Sequence, residues 1–360
     1  MRTADFSYEL PPELIAQEAI EPRDAARMLV ARPGAAPLHQ HARDLPAHLR
    51  AGDLLVLNRT RVIPARLAAR KPTGGAREVL LLHPDRLLDP TAPVEAWRAL
   101  VRGRVSDGHV FDVLDHAGTP AAALTVTACH DDGTRTVRFA AGCDVLALAD
   151  RCGHVPLPPY IARADRPADR ERYQTVFADR PGSVAAPTAS LHLTSALLDQ
   201  LAAQGVGTAR VELAIGPGTF RPVDTDLVED FRIHGEWCEC PAETIAAINA
   251  TRAAGGRVIA VGTTVVRTLE TAARQPGGFA PYTGWTKLFL HPPERLGTVD
   301  GLLTNFHLPR SSLLMLVSCL TGVEQLQALY AEAVRERYRF FSYGDAMLLL
   351  GADVPGSAGS

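Results

Sequence analysis

The chain predicts an α/β (α+β) main domain built on a mixed sheet and carrying an inserted small antiparallel β-barrel domain. Two textures and the length carry this expectation. From about Leu67 to Leu148, short runs such as "REVLLLH", "VEAWRALV", "HVFDVLD", "ALTVTAC" and "TRTVRFA" alternate in part, with Gly, Asp and Pro between them and little helix. After "GHVPLPPYI", too rich in Pro for regular structure, the pattern becomes strand followed by amphipathic helix, repeated. At 360 residues the chain exceeds the usual single-domain size, which suits a large domain with an insertion. The expected boundaries are 1–66 with 149–352 for the main domain, 67–148 for the barrel, and 353–360 for a disordered tail.

Taken in order, Pro12 to Gln17 predicts a short helix and Arg27 to Ala31 a strand. Leu54 to Leu57 is a second strand, followed by a polar turn and an extended piece from Val62 to Leu67. In "TSALLDQLAAQG", Thr194 caps a helix, Leu197, Leu198 and Leu201 share a face, and Gly205 stops it. "TARVELAI" is a strand running into the glycine turn "GPGTF". Pro241 opens and Gly255 closes the helix of "PAETIAAINATRAAGG". "RVIAVGTTVVRTLETAAR" is a buried-type strand, then Gly262, then a helix with Val265, Leu269 and Ala272 in register. "GLLTNFHLPRSSLLMLVSCL" repeats that order, and a last amphipathic helix runs from about Val323 to Arg337.

Composition bounds the function. With 46% hydrophobic and 21% charged residues the chain can bury a sizeable core. No apolar run reaches the roughly 20 residues that span a bilayer. "MRTADFSYELPPELIAQ" lacks the apolar core of a secretory signal, so a cytoplasmic protein is expected. Cys129, Cys143, Cys152, Cys238, Cys240 and Cys319 are scattered. Only "HGEWCEC" hints at a metal, and no second ligand pair follows at zinc-site spacing. Reduced, structural cysteines and no metal are expected. A formal net charge of −3 excludes a polyelectrolyte sponge for nucleic acid but not a local RNA-binding patch.

Four polar turns gather the chemistry. "GSVAAPTASLHLT", Gly182 to Thr194, holds hydroxyls and one His without a formally charged side chain. "VGTTVVR" and "TNFHLPR" lie where a strand passes into a helix, and helix starts leave backbone N–H groups for anions or polar ligand edges. In "GPGTFRP", Gly216 and Gly218 let backbone approach a ligand closely. Strand ends of α/β folds collect ligands, so a shared pocket is expected. Neither a P-loop nor a dinucleotide "GxGxxG" is present, and no Ser or Cys stands in a G-x-S-x-G elbow. His192, His234 and His307 all fall at polar junctions, which suits at least one of them to proton handling. "RERYRFFSYGD" is basic and aromatic, with Phe340 and Phe341 expected in the core rather than against RNA.

Together with these turns, "FSYELPPELIAQ", "GDLLVLNRTRVIPARL", "GHVPLPPYI", "DRERYQTVFA", "GWTKLFL" and "DGLLTNFHLPRSSLLMLVS" resemble, almost end to end, the S-adenosylmethionine:tRNA ribosyltransferase-isomerase family. The barrel matches least. The resemblance implies an α/β domain with an inserted barrel, and an enzyme that moves the ribosyl part of S-adenosylmethionine onto 7-aminomethyl-7-deazaguanine in tRNA. The ribose is rearranged to give epoxyqueuosine, and adenine and methionine leave. It further implies queuosine biosynthesis, no cofactor beyond S-adenosylmethionine as substrate, tRNA as partner and no membrane. A monomer is expected. His192, His234 and Glu236 are the implied catalytic residues. Substrate-binding candidates are Asn58, Arg61, Thr188, Ser190, Gly216, Gly218, Thr219, Arg221, Gly262, Thr263, Thr264, Arg267, Asn305, His307 and Arg310.

The chain also departs from the family pattern. Ser190 and Leu193 replace Gly and Phe, Ala214 and Pro217 replace His and Leu, Arg59 replaces Asp, Gly235 replaces Ser, and Lys287 stands where an acid is usual. Because these changes fall in motifs, two competing readings stand beside the first. One is a relative using S-adenosylmethionine on a small-molecule acceptor or in an acceptor-free elimination. The other is an inactive RNA-binding scaffold.

Overall fold

The computed structural model describes residues 1–216, 218 and 222–351. Thr219, Arg221, Pro217 and the tail at 353–360 therefore lie outside the described residues. The strands are β1 (Arg27–Ala31), β2 (Leu38–His41), β3 (Leu54–Asn58), β4 (Thr60–Val62), β5 (Arg66–Arg70), β6 (Ala76–Pro84), β7 (Ala96–Val101), β8 (Val110–Leu114) and β9 (Pro120–Cys129). They continue with β10 (Arg135–Phe139), β11 (Arg180–Ser183), β12 (Gly207–Leu213), β13 (Glu236–Cys240), β14 (Val258–Val261), β15 (Tyr282–Thr286), β16 (Gly301–Asn305) and β17 (Ala346–Leu350). The helices are α1 (Val145–Cys152), α2 (Asp169–Arg172), α3 (Ser195–Ala203), α4 (Ala242–Ala253), α5 (Thr263–Ala273), α6 (Ser312–Thr321) and α7 (Val323–Arg335).

A nine-stranded sheet in the order β15-β13-β12-β3-β14-β16-β17-β1-β2 forms the body. It is mixed, as expected: β12, β3, β14 and β16 run parallel, while β13, β15 and β17 join antiparallel to their neighbours β12, β13 and β16. Successive side chains of a strand face opposite sides. Leu54 and Val56 of β3 pack with Val265, Val266 and Leu269 of α5, whereas Leu55 and Leu57 pack with Leu197 and Leu201 of α3. Both faces are thus covered, which is why β3, β14 and β16 are buried along their whole length.

The expected barrel is present and closed, in the order β10-β7-β6-β5-β8-β9. Its interior is filled by Leu67, Val79, Leu81, Trp97, Phe111, Val113, Leu124, Val126 and Val137, and Leu148, Ala149 and Cys152 of α1 belong to the same cluster. The barrel touches the sheet through Trp285 on β15, whose Nε1–H donates to the Leu87 carbonyl at 3.0 Å. The His83 ring lies 4.8 Å from the Trp285 ring in an edge-to-face contact.

Two elements differ from expectation. The helix expected over Pro12–Gln17 is a single turn, Pro12–Leu14, because the chain beyond is drawn into extended pairing: Ala16 N–H donates to the Phe340 carbonyl at 3.2 Å, and Phe340 N–H to Leu14 at 2.8 Å. The piece expected over Val62–Leu67 is divided between β4 and β5, with Pro64, which has no N–H for a ladder, lying between them. Phe340 and Phe341 are buried in the core. Among the described residues no single helix is long and apolar enough to cross a membrane; α6 and α7 pass that test only as a pair bent by 114°.

Candidate active site

The ends of β3, β12, β14 and β16 open onto two clefts that share Ile215 and Leu313 as walls. The smaller is a cavity of about 70 Å³. It is lined by Thr188, Gly262, Thr263, Thr264, Asn305 and His307, all expected, together with Tyr160, Ser311, Phe341 and Ser342. The larger, about 530 Å³, is lined by Gly216, Gly218, His234, Gly235, Glu236, Arg267 and Lys287 from the sheet side and by His83, Arg98, Asp132 and Thr134 from the barrel.

The small cleft is made by two helix starts. Gly262 caps α5 with φ 97°, a left-handed conformation that an L side chain resists, so Gly is needed there. Thr263 and Thr264 follow as the first helical residues, both buried. Ser311 caps α6, its Oγ accepting from Leu314 N–H at 3.2 Å. Between them stands Asn305 at the end of β16, 2% exposed. Its Nδ2 donates to His192 Nε2 at 3.2 Å and to the Phe341 carbonyl at 3.1 Å, while its Oδ1 is buried without a partner among the described residues. His307 Nε2 bonds Thr304 Oγ1 at 2.8 Å, and burial lowers the imidazole to about 3, so it is neutral at pH 7. Tyr160 stacks on Phe341 with ring centroids 4.4 Å apart and bonds Ser342 Oγ through its hydroxyl.

The large cleft is organised by a buried ion pair. Arg267 Nη1 on α5 donates to Glu236 Oε2 on β13, with both side chains 6% exposed. Glu236 Oε1 accepts from Gly216 N–H at 2.9 Å, and Arg267 Nε donates to the Leu288 carbonyl at 3.2 Å. The pair therefore anchors the glycine turn to α5. A Cβ at Gly218 would lie 2.9 Å from His234 Cδ2 and 3.1 Å from His234 Cβ, so a larger residue there has to displace that side chain. His234 is exposed at the rim, next to this turn.

Several expected residues are placed elsewhere. Asn58, fully buried, spends its side chain as a bracket: Nδ2 donates to Leu213 O at 3.1 Å and Thr264 Oγ1 at 3.2 Å, and Oδ1 accepts from Thr60 N–H at 3.1 Å and Leu213 N–H at 3.2 Å. It orients Thr264 and lines neither cleft. Arg61 is exposed on β4, and Arg310 is exposed at φ 56° with Nε bonded to Ser7; neither reaches a cleft. Ser190 is fully buried, its Oγ without a partner among the described residues. His192 also lies behind the small cleft, and burial, then the charges of Arg339, Arg172 and Arg23, lower it to about 3. The expected catalytic His192 thus stands against Asn305 Nδ2 and is not among the residues lining either cleft. The expected catalytic Glu236 lines the large cleft, with Oε1 and Oε2 both engaged by protein donors.

The departures from the family pattern resolve in the same way. Arg59 forms a forked pair with Asp179, at 2.6 and 2.7 Å, on the surface. Leu193 is fully buried in the apolar cluster under α3. Ala214, Gly235 and Lys287 line the large cleft. Cys238 and Cys240 are buried on one face of β13, and burial pushes both thiols up to about 12. All six cysteines are free, and among the described residues no group of three His, Cys, Asp or Glu is placed to hold a metal ion. Sequence reasoning missed Tyr160, Ser311, Phe341, Ser342 and the barrel wall. "GHVPLPPYI" and the strand-to-helix turn before α6 pointed at Tyr160 and Ser311, but no local signal marks His83, Arg98, Asp132 or Thr134.

Comparison with known proteins agrees with this geometry. The model of a family described as queuosine biosynthesis protein matches residues 3–349. The chain is 50% identical over 359 residues to the S-adenosylmethionine:tRNA ribosyltransferase-isomerase of Synechococcus sp. (strain CC9902), covering 96% of this chain and 94% of that one. It is 51% identical over 350 residues to the protein of the same name from Gloeobacter violaceus, covering 97% and 96%. The crystal structure of S-adenosylmethionine tRNA ribosyltransferase from Thermotoga maritima is similar with a TM-score of 0.54 and 37% identity, covering 96% of this chain and all of that one. With a family model spanning nearly the whole chain and relatives at half identity, the chain belongs to the queuosine biosynthesis protein family.

Proposed function

We propose that this chain is an S-adenosylmethionine:tRNA ribosyltransferase-isomerase. It transfers and isomerises the ribosyl moiety of S-adenosylmethionine onto 7-aminomethyl-7-deazaguanine in tRNA, giving epoxyqueuosine and releasing adenine and methionine. The observation that carries the reading is near-complete coverage at 50% identity to a relative of that name, with two joined clefts at the strand ends. A sulfonium beside C5′ acidifies its protons, so a base generates an ylide. The primary amine of the modified base then attacks the sugar, and adenine and methionine depart. Binding both substrates in one cleft system makes that attack intramolecular in effect. The large cleft has the size of a nucleoside site. His234, at its rim, is the proton-transfer candidate, and Arg267 and Glu236 hold the turn that faces it. S-adenosylmethionine supplies the ribosyl carbons and both leaving groups, so no metal or redox cofactor enters. The protein works as a monomer in the cytoplasm, where its tRNA is found.

The test is to incubate purified protein with S-adenosylmethionine alone and then with precursor-modified tRNA, following adenine and methionine by mass. Release only with tRNA is expected. Release without tRNA would replace the proposal by an elimination, and silence in both with RNA retained on the protein would leave only a scaffold.

A further inference from the structure

We infer that His83, on the barrel wall of the large cleft, is the acceptor that holds the amino group of a purine-type base beside Trp285. The inference rests on the ribosyltransferase reading above and gives the inserted barrel a part in selecting the base.

Position gives the first argument. Val79 and Leu81 of β6 fill the barrel, and strict alternation would turn His83 inward with them. The register slips at this point: Leu81 stands opposite Ala99 and His83 opposite Arg98, so β6 holds one extra residue. Such a bulge re-aims the side chain that follows it, and His83 lines the cleft together with Arg98. The ring is fixed there. It meets Trp285 edge to face with centroids 4.8 Å apart, and Trp285 is itself held by its Nε1–H on the Leu87 carbonyl.

Protonation gives the second. His83 Nδ1 lies 3.0 Å from the Pro84 carbonyl oxygen, which can only accept, so Nδ1 carries the hydrogen. Burial lowers the imidazole below its usual value, so the ring is neutral at pH 7 and Nε2 presents a lone pair. Among the described residues Nε2 has no hydrogen-bond partner, and it is not sealed from solvent as the nearby Arg98 Nε and Asp85 Oδ1 are. Once a ligand displaces water from the cleft, this acceptor stays paired only if the ligand brings a donor to it.

The chemistry of the ligand follows. A cleft of about 530 Å³ has room for a nucleoside, and an exocyclic amine is a neutral donor on a flat ring that packs against an aromatic side chain. Both substrates of the reaction carry one, adenine in S-adenosylmethionine and the 7-deazaguanine in tRNA.

The test applies calorimetry to the full-length protein with two pairs of ligands. One pair is S-adenosylmethionine and its analogue with hypoxanthine for adenine, which has a carbonyl where the amine stood. The other is precursor-modified tRNA and the same tRNA whose modified base lacks its 2-amino group. Affinity is expected to differ about tenfold within a pair, the scale of a polar group left unpaired. His83→Phe keeps an aromatic ring against Trp285 without the acceptor and should reduce that difference to within about twofold. The pair that loses its difference identifies the base. His83→Gln, whose Oε1 restores an acceptor near the place of Nε2, should recover most of it. Equal affinity within both pairs for the wild type would overturn the assignment while leaving the ribosyltransferase reading intact, and that comparison needs no variant to fold. Differences that survive His83→Phe, with both ligands of a pair weakened together or not at all, would overturn the placement on His83. A wild-type protein that binds neither pair would overturn the ribosyltransferase reading itself.

Discussion

Replacing Glu236 by Gln separates a strut from a general base. Glu236 and Arg267 are both nearly buried, the Arg267 Nη1–H donates to Oε2, and Oε1 holds Gly216 N–H at 2.9 Å. Gln keeps an acceptor for Gly216 but leaves the Arg267 charge in a dry site without its counter-ion. Breaking one side of a buried pair costs about 3–5 kcal/mol, because the surviving charge is uncompensated. Unfolding in urea should therefore show a midpoint shift of that size with an unchanged slope. The double variant Glu236→Gln with Arg267→Met removes the charge as well, and should recover more than half of the loss, a coupling that neighbouring residues show and independent ones do not. Turnover measured as adenine release should fall in the single variant together with affinity for S-adenosylmethionine, since the glycine turn loses its anchor. A single variant with wild-type stability and affinity but reduced kcat would refute this reasoning and return Glu236 to proton transfer.

Three further outcomes follow from the same geometry. Gly218→Ala places a Cβ 2.9 Å from the ring of the exposed His234, so it should displace that ring and lower turnover while costing about 0.5 kcal/mol of stability; unaltered turnover would show the turn to be more open than described. His192 and His307, lowered to about 3 in the folded state, bind fewer protons there than unfolded, so stability should fall as pH drops from about 6.5, by up to about 1.4 kcal/mol per unit for each. Glu212, raised to about 7 by burial and by Glu239, opposes this with one proton of the other sign, while the lowered His48 and His83 add to it. Denaturant unfolding at a series of pH values should give a net positive slope that steepens in Glu212→Gln, and a slope of zero or below would contradict it. Arg59→Ala, which removes a part-exposed pair with Asp179 while Arg210 still pairs with that carboxylate, should cost only about 1 kcal/mol with turnover unchanged. A large loss of activity would place this surface against substrate.

What the sequence determined by itself is whatever depends on neighbours along the chain. The unbroken apolar run of Leu54 to Leu57, the caps at Thr194 and Gly262 and the stops at Gly205 and Gly255 are local in cause, and their elements stand where they were expected. The short apolar runs between turns likewise specified the hairpins β5-β6-β7 and β8-β9-β10, which need only adjacent strands, whereas the β7–β10 and β5–β8 pairs that close the barrel are long-range. Whole motifs carried the family, since each preserves a turn whose backbone the site requires.

Tertiary structure decided which polar side chains face a cleft and which are spent inside. Asn58 and His192 looked like ligands in the sequence, yet partners 155 residues from the one and 113 from the other consume them. Asp179, 120 residues from Arg59, turns an apparent charge reversal in a motif into a surface pair. The barrel wall of the large cleft was invisible for the same reason: residues near 83, 98 and 132 meet residue 234 only where the barrel packs against the sheet. Hydrogen-bond capacity is finite, and only the folded chain shows where each donor and acceptor has been used.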